Sequence, residues 1–410
     1  MRDSDSFIEQ IKSSLMESLD SYIEKSEETR SRYSAALEEL LSQSFIELQR
    51  LIESNQKCEV GLSEEYDRDK RLCVPFEHRW RNFEEADNWA KGILMERTTF
   101  AVDGGQDFFG KELNIPIAIV QIGWFENPHL LNARYEKCSE FHLIMPDEIL
   151  GREIKEMPPE TYMGQKRFSL EIKKLKDFLE SQKNWETSNK RMPVAFFDGA
   201  FVVSLARREI QSDIAEQVRE VINLSEKTKV PVVGYIDRSH AYDLLSLFRI
   251  FSNPSSDPTE EKVNRTSSFI EMDDLLILEN LNILQKWGDR TIFFYSNRKD
   301  LKSFFGDKTP PPIGFVYLKT VSDFLPARLD IPSWVFRDGK LKEVLDVVLA
   351  ECIVSRQGYP YPLCCADQMA FIGRQQRELF IHILQKLISK KNFKLSYSRK
   401  VKTKETFRDF

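Results

Sequence analysis

Acidic residues at the ends of apolar runs are the groups in this chain best suited to do chemistry. Thr98–Gly105 reads Thr-Thr-Phe-Ala-Val-Asp-Gly-Gly, a short β-prone run that ends in Asp103 and is followed by two glycines expected to turn the chain. Pro193–Ala200, Pro-Val-Ala-Phe-Phe-Asp-Gly-Ala, repeats the pattern with Asp198, and Pro231–Ser239 gives a third version with Asp237. A carboxylate that closes a buried strand sits where a sheet meets solvent, which suits an ion or a phosphate. Each copy alone also reads as an ordinary Asp-Gly turn. A further acid, Asp367, lies in Gly-Tyr-Pro-Tyr-Pro-Leu-Cys-Cys-Ala-Asp-Gln-Met-Ala-Phe-Ile, residues 358–372. The prolines fix an extended entry, so a helix should begin at about Pro362 or Leu363, with Asp367 near its first turn. Dipole compensation alone would give such an acid about 0.3–1 kcal/mol. Its apolar surroundings point instead to a partly buried cleft.

Carboxylates gathered at one rim repel one another, and divalent cations remove that cost. Two such ions about 3.5–4 Å apart can lower the pKa of an attacking water and hold a leaving oxygen, as phosphodiester hydrolysis needs. The six cysteines form no C-x-x-C pair and the five histidines are scattered. That argues against zinc and leaves an oxygen-ligated Mn²⁺ or Mg²⁺.

Other classes are narrowed by composition. The net charge of −6 gives no global attraction to nucleic acid; if DNA is the substrate, its path must be a local basic surface. Candidates are Arg207, Arg208, Arg238 and Arg374, with a basic tail from Lys390 to Arg408 that interleaves Phe393, Tyr397 and Phe407. The tail reads equally as a solvated segment. No apolar run of about 18 residues is present, so no membrane span is expected. The first residues, Met-Arg-Asp-Ser-Asp-Ser, lack a signal-peptide pattern, and a cytoplasmic protein is expected.

The elements that must position these acids follow from periodicity. Residues 1–60 contain neither Gly nor Pro, and Ile8, Ile11, Leu15, Leu19 and Tyr22 recur at helical spacing, as do Leu41, Phe45, Leu48 and Ile52. This predicts one long amphipathic helix, or a hairpin broken around Ser26–Ser34, that packs on its own domain or on a second subunit. Strands are predicted at Thr98–Val102, Ile115–Trp124 and Glu140–Met145 as an antiparallel meander. After it, helices over 166–182 and about 204–224 alternate with strands at 193–197 and 231–236, which implies parallel pairing. A helix from His240, a flexible insertion at 252–268, strands at 291–295 and 315–319, a helix over about 340–354 and a last helix from about 363 to 390 complete the chain. A meander, then parallel strands with helices, then a closing helix resembles a ribonuclease H-like mixed sheet flanked by helices, here with a long N-terminal arm. The expected organisation is an arm at 1–60, an RNase H-like domain at 61–390 and a basic tail at 391–410.

Val-Asp-Gly-Gly, Phe-Phe-Asp-Gly-Ala, Gly-Tyr-Ile-Asp-Arg-Ser and Gly-Tyr-Pro-Tyr-Pro-Leu-x-x-Ala-Asp occur in an order that resembles the NurA family of DNA-end-processing nucleases, over about residues 95–390. The resemblance implies an RNase H-like core, dependence on Mn²⁺ or Mg²⁺ (two ions), and 5′→3′ degradation of single- and double-stranded DNA. It also implies a homodimer that works with a HerA-like hexameric ATPase in double-strand-break resection. Asp103 then matches the first-strand acid, Asp198 the second, and Asp367 the last acidic or histidine position, where many members have His. Glu171 stands for the helix glutamate, with Glu180 as its rival. Arg238 occupies a place where members tend to have Lys, Asp237 beside it is a spectator, and Tyr359 and Tyr361 fall on the aromatic motif. One of these tyrosines is expected to stack on a base or orient the scissile phosphate. The alternative is a non-catalytic module that docks a DNA translocase. An actin-like phosphotransferase would need more glycine-rich phosphate loops than 16 Gly allow.

Overall fold

The computed structural model describes residues 2–68, 72–111, 113–151, 157–188, 190–201, 208–252, 273–306, 308–391 and 396. The chain opens with α1 (Arg2–Ser42) and α2 (Phe45–Ser54), followed by a short strand β1 (Val60–Leu62). The meander is β2 (Thr99–Phe108), β3 (Ala118–Asn127) and β4 (Glu136–Ile144). Next come α3 (Pro159–Ser181), β5 (Val194–Asp198), α4 (Arg208–Thr228), β6 (Val232–Ile236) and α5 (Asp243–Ser252). Strands β7 (Phe294–Ser296) and β8 (Ile313–Leu318) precede the closing helices α6 (Leu341–Ser355), α7 (Tyr361–Ala370) and α8 (Arg374–Ser389).

These elements form two compact units. One comprises Met1–His78, Asp237–Ser303 and Asp307–Leu329. Its core gathers Leu40, Leu48, Val60, Tyr66, Leu244, Phe248, Phe294 and Phe315, all buried. The second half of α1 belongs to this core through Ala36 and Leu40. The break between α1 and α2 falls at Ser44, whose hydroxyl accepts from Glu47 N while Glu47 accepts from Ser44 N, a capping box. It does not fall at Ser26–Ser34: that segment is continuous helix, because nothing in it removes a backbone hydrogen bond.

The other unit comprises Arg79–Ile236, Phe304–Gly306 and Asp330–Phe410. Its strands lie in the order β6-β5-β2-β3-β4. β2, β3 and β4 pair antiparallel, whereas β2 pairs parallel with β5, and β5 with β6. The α3 and α4 crossovers cover this sheet and bury Ile172, Leu175, Leu179, Val218 and Val221 against it. The mixed α/β architecture with a long N-terminal helix thus follows the sequence pattern.

Two local expectations are corrected. Gly104 and Gly105 do not turn the chain: β2 continues through them to Phe108, paired with Ile122 and Gln121 of β3. The last helix is two helices, because α7 stops at Ala370 and α8 starts after Gly373. Gln121, nearly buried in β3, donates its side-chain amide to the Met369 carbonyl at 2.6 Å and so satisfies a last-turn acceptor outside the helix. The strand Ala327–Pro332 was not foreseen; its sequence Ala-Arg-Leu-Asp-Ile-Pro hides a fully buried run behind two charges. The insertion at 252–268 falls almost wholly outside the described residues, as does most of the 391–410 tail.

Candidate active site

Parallel pairing sets two of the acids side by side. Val102 of β2 is in register with Phe197 of β5, so the next residues, Asp103 and Asp198, stand at adjacent positions on the two strands. The residue across from Asp103 on β3 is Gly123, so no side chain covers it from that direction. Helix α3 passes over the next residue, Gly104. A Cβ on Gly104 would stand 2.2 Å from Glu171 Oε1 and 2.6 Å from Arg167 Cγ, so only glycine lets this helix sit so close. Helix α7 is seated in the same way: a Cβ on Gly123 would meet Ala370 N at 2.4 Å and the Ala366 carbonyl at 2.5 Å. That seat brings Asp367, exposed on α7, to the rim.

The charges of these groups act on one another. The Asp103 carboxyl is pushed up to about 6, chiefly by burial and further by the charges of Asp198 and Asp367, against the lowering effect of the Gly104 N–H and Arg167. Burial pushes Glu171 up to about 8, with Asp103 and Asp198 adding to the shift and Arg167 opposing it. Tyr359 donates its hydroxyl to Asp198, and burial together with that carboxylate raises its pKa. The Tyr359 ring stands edge-on to Tyr235 of β6, with centroids 4.8 Å apart. Asp103 thus lies within electrostatic reach of Asp198, Asp367 and Glu171, and Tyr359 touches Asp198.

The remaining candidates lie elsewhere. The Tyr361 ring packs edge-on against Phe125, and its hydroxyl is pushed up to about 12, first by its contact with Cys365. Arg238 belongs to the other compact unit, where it faces Asp273 at 3.6 Å. Arg374 forms a 2.6 Å pair with Glu378 on the exposed face of α8. Arg207 and the Arg208 side chain fall outside the described residues. Glu180 pairs with Lys183 at 3.6 Å and is about 13 Å further along α3 than Glu171. Sequence reasoning passed over Arg167, which an i,i+4 reading back from Glu171 would have found. It also took the glycines for a turn when their role is to admit two helices.

The donor set is all carboxylate oxygen, which matches a hard divalent cation. Glu171 Oε1 is buried without a hydrogen bond, an acceptor that a cation would satisfy. As placed, no three acids, cysteines or histidines among the described residues form a group that could hold a metal ion. The Arg167 guanidinium stands 3.3 Å from Glu171 and acts on the Asp103 carboxylate. The chemistry of the donors fits a divalent ion, and its binding would have to draw the carboxylates inward.

This unit is a mixed α/β sheet in which Asp103 and Asp198 stand side by side on β2 and β5, and α3 carries Glu171. The sequence profile of the NurA domain matches residues 97–372, well over half of the chain, so this chain belongs to the NurA family. Among solved structures it is similar to the NurA nuclease from Sulfolobus solfataricus, at 13% identity and TM-score 0.41, covering 75% of this chain and 92% of that one. It is also similar to a NurA solved with manganese, at 10% identity and TM-score 0.39, covering 76% of this chain and 93% of that one. A NurA bound to dAMP and manganese matches at 12% identity and TM-score 0.34, covering 69% and 86%. No curated protein matches the chain.

Proposed function

We propose that this chain is a divalent-metal-dependent DNA nuclease that hydrolyses phosphodiester bonds in the cradle formed by β2, β5, α3 and α7. The observation that carries the reading is the convergence of Asp103, Glu171, Asp198 and Asp367 from four separate segments onto one rim. These four residues would hold Mn²⁺ or Mg²⁺, two ions in our reading. Such ions, when bound, supply an activated water and charge neutralisation at the phosphorus. The protein's own share is positional. Asp103, rigid in a paired strand, fixes the centre of the site, and Tyr359 orients Asp198 by donating to it. Glu171 is held from a buried helix face, and Asp367 approaches from α7. Hydrolysis adds water across one P–O bond, leaving a phosphate monoester on one side and a hydroxyl on the other.

The family supports finer statements that belong to the same proposal: 5′→3′ exonuclease and single-strand endonuclease action in end resection, a HerA-like hexameric ATPase as partner, and a homodimer. Arg238, Arg374, Arg207, Arg208, Tyr359 and Tyr361 are proposed along the DNA path, with Tyr359 nearest the acids. Asp103→Asn tests the core of the reading. With circular dichroism unchanged, Mn²⁺-dependent cleavage of labelled DNA should fall by about 10²-fold or more; cleavage at the wild-type rate would sink it.

A further inference from the structure

We propose that Arg167 is a built-in counter-ion of the carboxylate cradle, docked there when no divalent ion is bound and displaced when one is. This rests on the metal-dependent reading above. Arg167 and Glu171 lie one turn apart on the face of α3 that meets β2. Arg167 Nε stands 3.3 Å from Glu171 Oε1, yet neither atom makes a hydrogen bond. Its Nη1 donates to the Gly104 carbonyl at 3.3 Å, and its stem lies against Gly104, where a Cβ would come within 2.6 Å of Cγ. The same guanidinium favours the charged form of both Asp103 and Glu171.

The two partners differ in freedom. The Glu171 side chain is 7% exposed and fixed, whereas that of Arg167 is 42% exposed, so the guanidinium has solvent to move into. Its contacts are long and singly made, without the bidentate geometry of a structural arginine pair. A cation that is buried on one side, loosely held and flanked by acids offsets their repulsion without locking them. An incoming divalent ion must compete with it, and the released arginine is then free to face the phosphate of a bound strand.

The test uses the full chain and MnCl2 as the probe, with thermal unfolding and calorimetric titration as readouts. Arg167→Met keeps an apolar stem on Gly104 but removes the charge, and Arg167→Lys restores it. In EDTA, Arg167→Met should melt below wild type. Its rise in melting midpoint on adding Mn²⁺ should exceed that of wild type, and its Mn²⁺ affinity should be at least about fivefold higher. Arg167→Lys should return both readouts toward wild type. If wild type is stabilised by Mn²⁺ but Arg167→Met gains no more and binds no tighter, the arginine is merely structural and the proposal is overturned. If wild type itself neither binds Mn²⁺ nor melts higher with it, the metal-dependent reading fails, and this inference with it.

Discussion

Glu351 on α6 shows what burial does to a single acid outside the cradle. It is fully buried, and burial pushes its carboxyl up to about 8. His129 Nε2 lies 3.5 Å from Glu351 Oε1, and its Nδ1 is 2.7 Å from the Arg97 carbonyl. That carbonyl can only accept, so Nδ1 carries the proton and Nε2 presents a lone pair. Burial lowers the His129 pKa, so the ring is neutral and the partner that fits it is an uncharged Glu351. The folded pKa is raised above the ordinary value of 4.5. The stabilisation is therefore complete below that value and is lost as pH rises toward about 8, where the folded state must give up a proton. Glu351→Gln removes the titration. Its unfolding free energy should change less between pH 5 and pH 8 than that of wild type, by an amount on the order of a few kcal/mol. Parallel stability–pH curves for the two proteins would show that Glu351 is already ionised at neutral pH.

At the scale of elements, glycines decide how closely helices approach the sheet. Gly123→Ala places a methyl group against backbone atoms of α7, which cannot yield as a side-chain tip would. We expect a loss of about 1–3 kcal/mol in denaturant unfolding. Nuclease activity should also drop, because Asp367 rides on the displaced helix. Gly164→Ala in α3 is the control: nothing lies within 4 Å of the added methyl, so stability should rise by about 0.5–1 kcal/mol. Equal effects at the two positions would refute the seating argument. In the other unit, buried Asp274 accepts from Leu244 N and Leu245 N at the start of α5 and from the Tyr317 hydroxyl at 2.8 Å. An acid 30 residues downstream thus serves as the cap of α5, a role no local motif encodes.

At the scale of the molecule, α1 is anchored at one end only. Ala36 and Leu40 are buried, whereas Ile8, Ile11, Leu15, Leu19 and Tyr22 stay 40–53% exposed along its first half. A row of this kind on one helix face is what a second helix would cover, and it gives the proposed homodimer a physical basis. Leu15→Lys combined with Leu19→Lys should convert a dimer to monomers in sedimentation velocity while circular dichroism stays unchanged, since neither side chain is buried within its own chain. A wild-type chain that sediments as a monomer at micromolar concentration would remove the basis for that pairing. Among the described residues no helix is long and apolar enough to cross a membrane.

The sequence alone was sufficient for whatever depends on neighbours along the chain. Apolar runs marked the meander and the parallel strands, and apolar spacing marked α1 and α3. Asp103, Asp198 and Asp367 stood out because each adjoins an apolar run. Glu171 and Glu180 look alike along the chain and differ in the fold, which buries one beside Gly104 and leaves the other on the surface. Arg167 became significant for the same reason: its partners at Gly104 and Asp103 are more than 60 residues away. The stop of α7 at Ala370, the capping of α5 by Asp274 and the continuation of β2 through two glycines likewise depend on contacts distant in sequence. Periodicity reports which side of an element is apolar, and only the folded chain reports what that side meets.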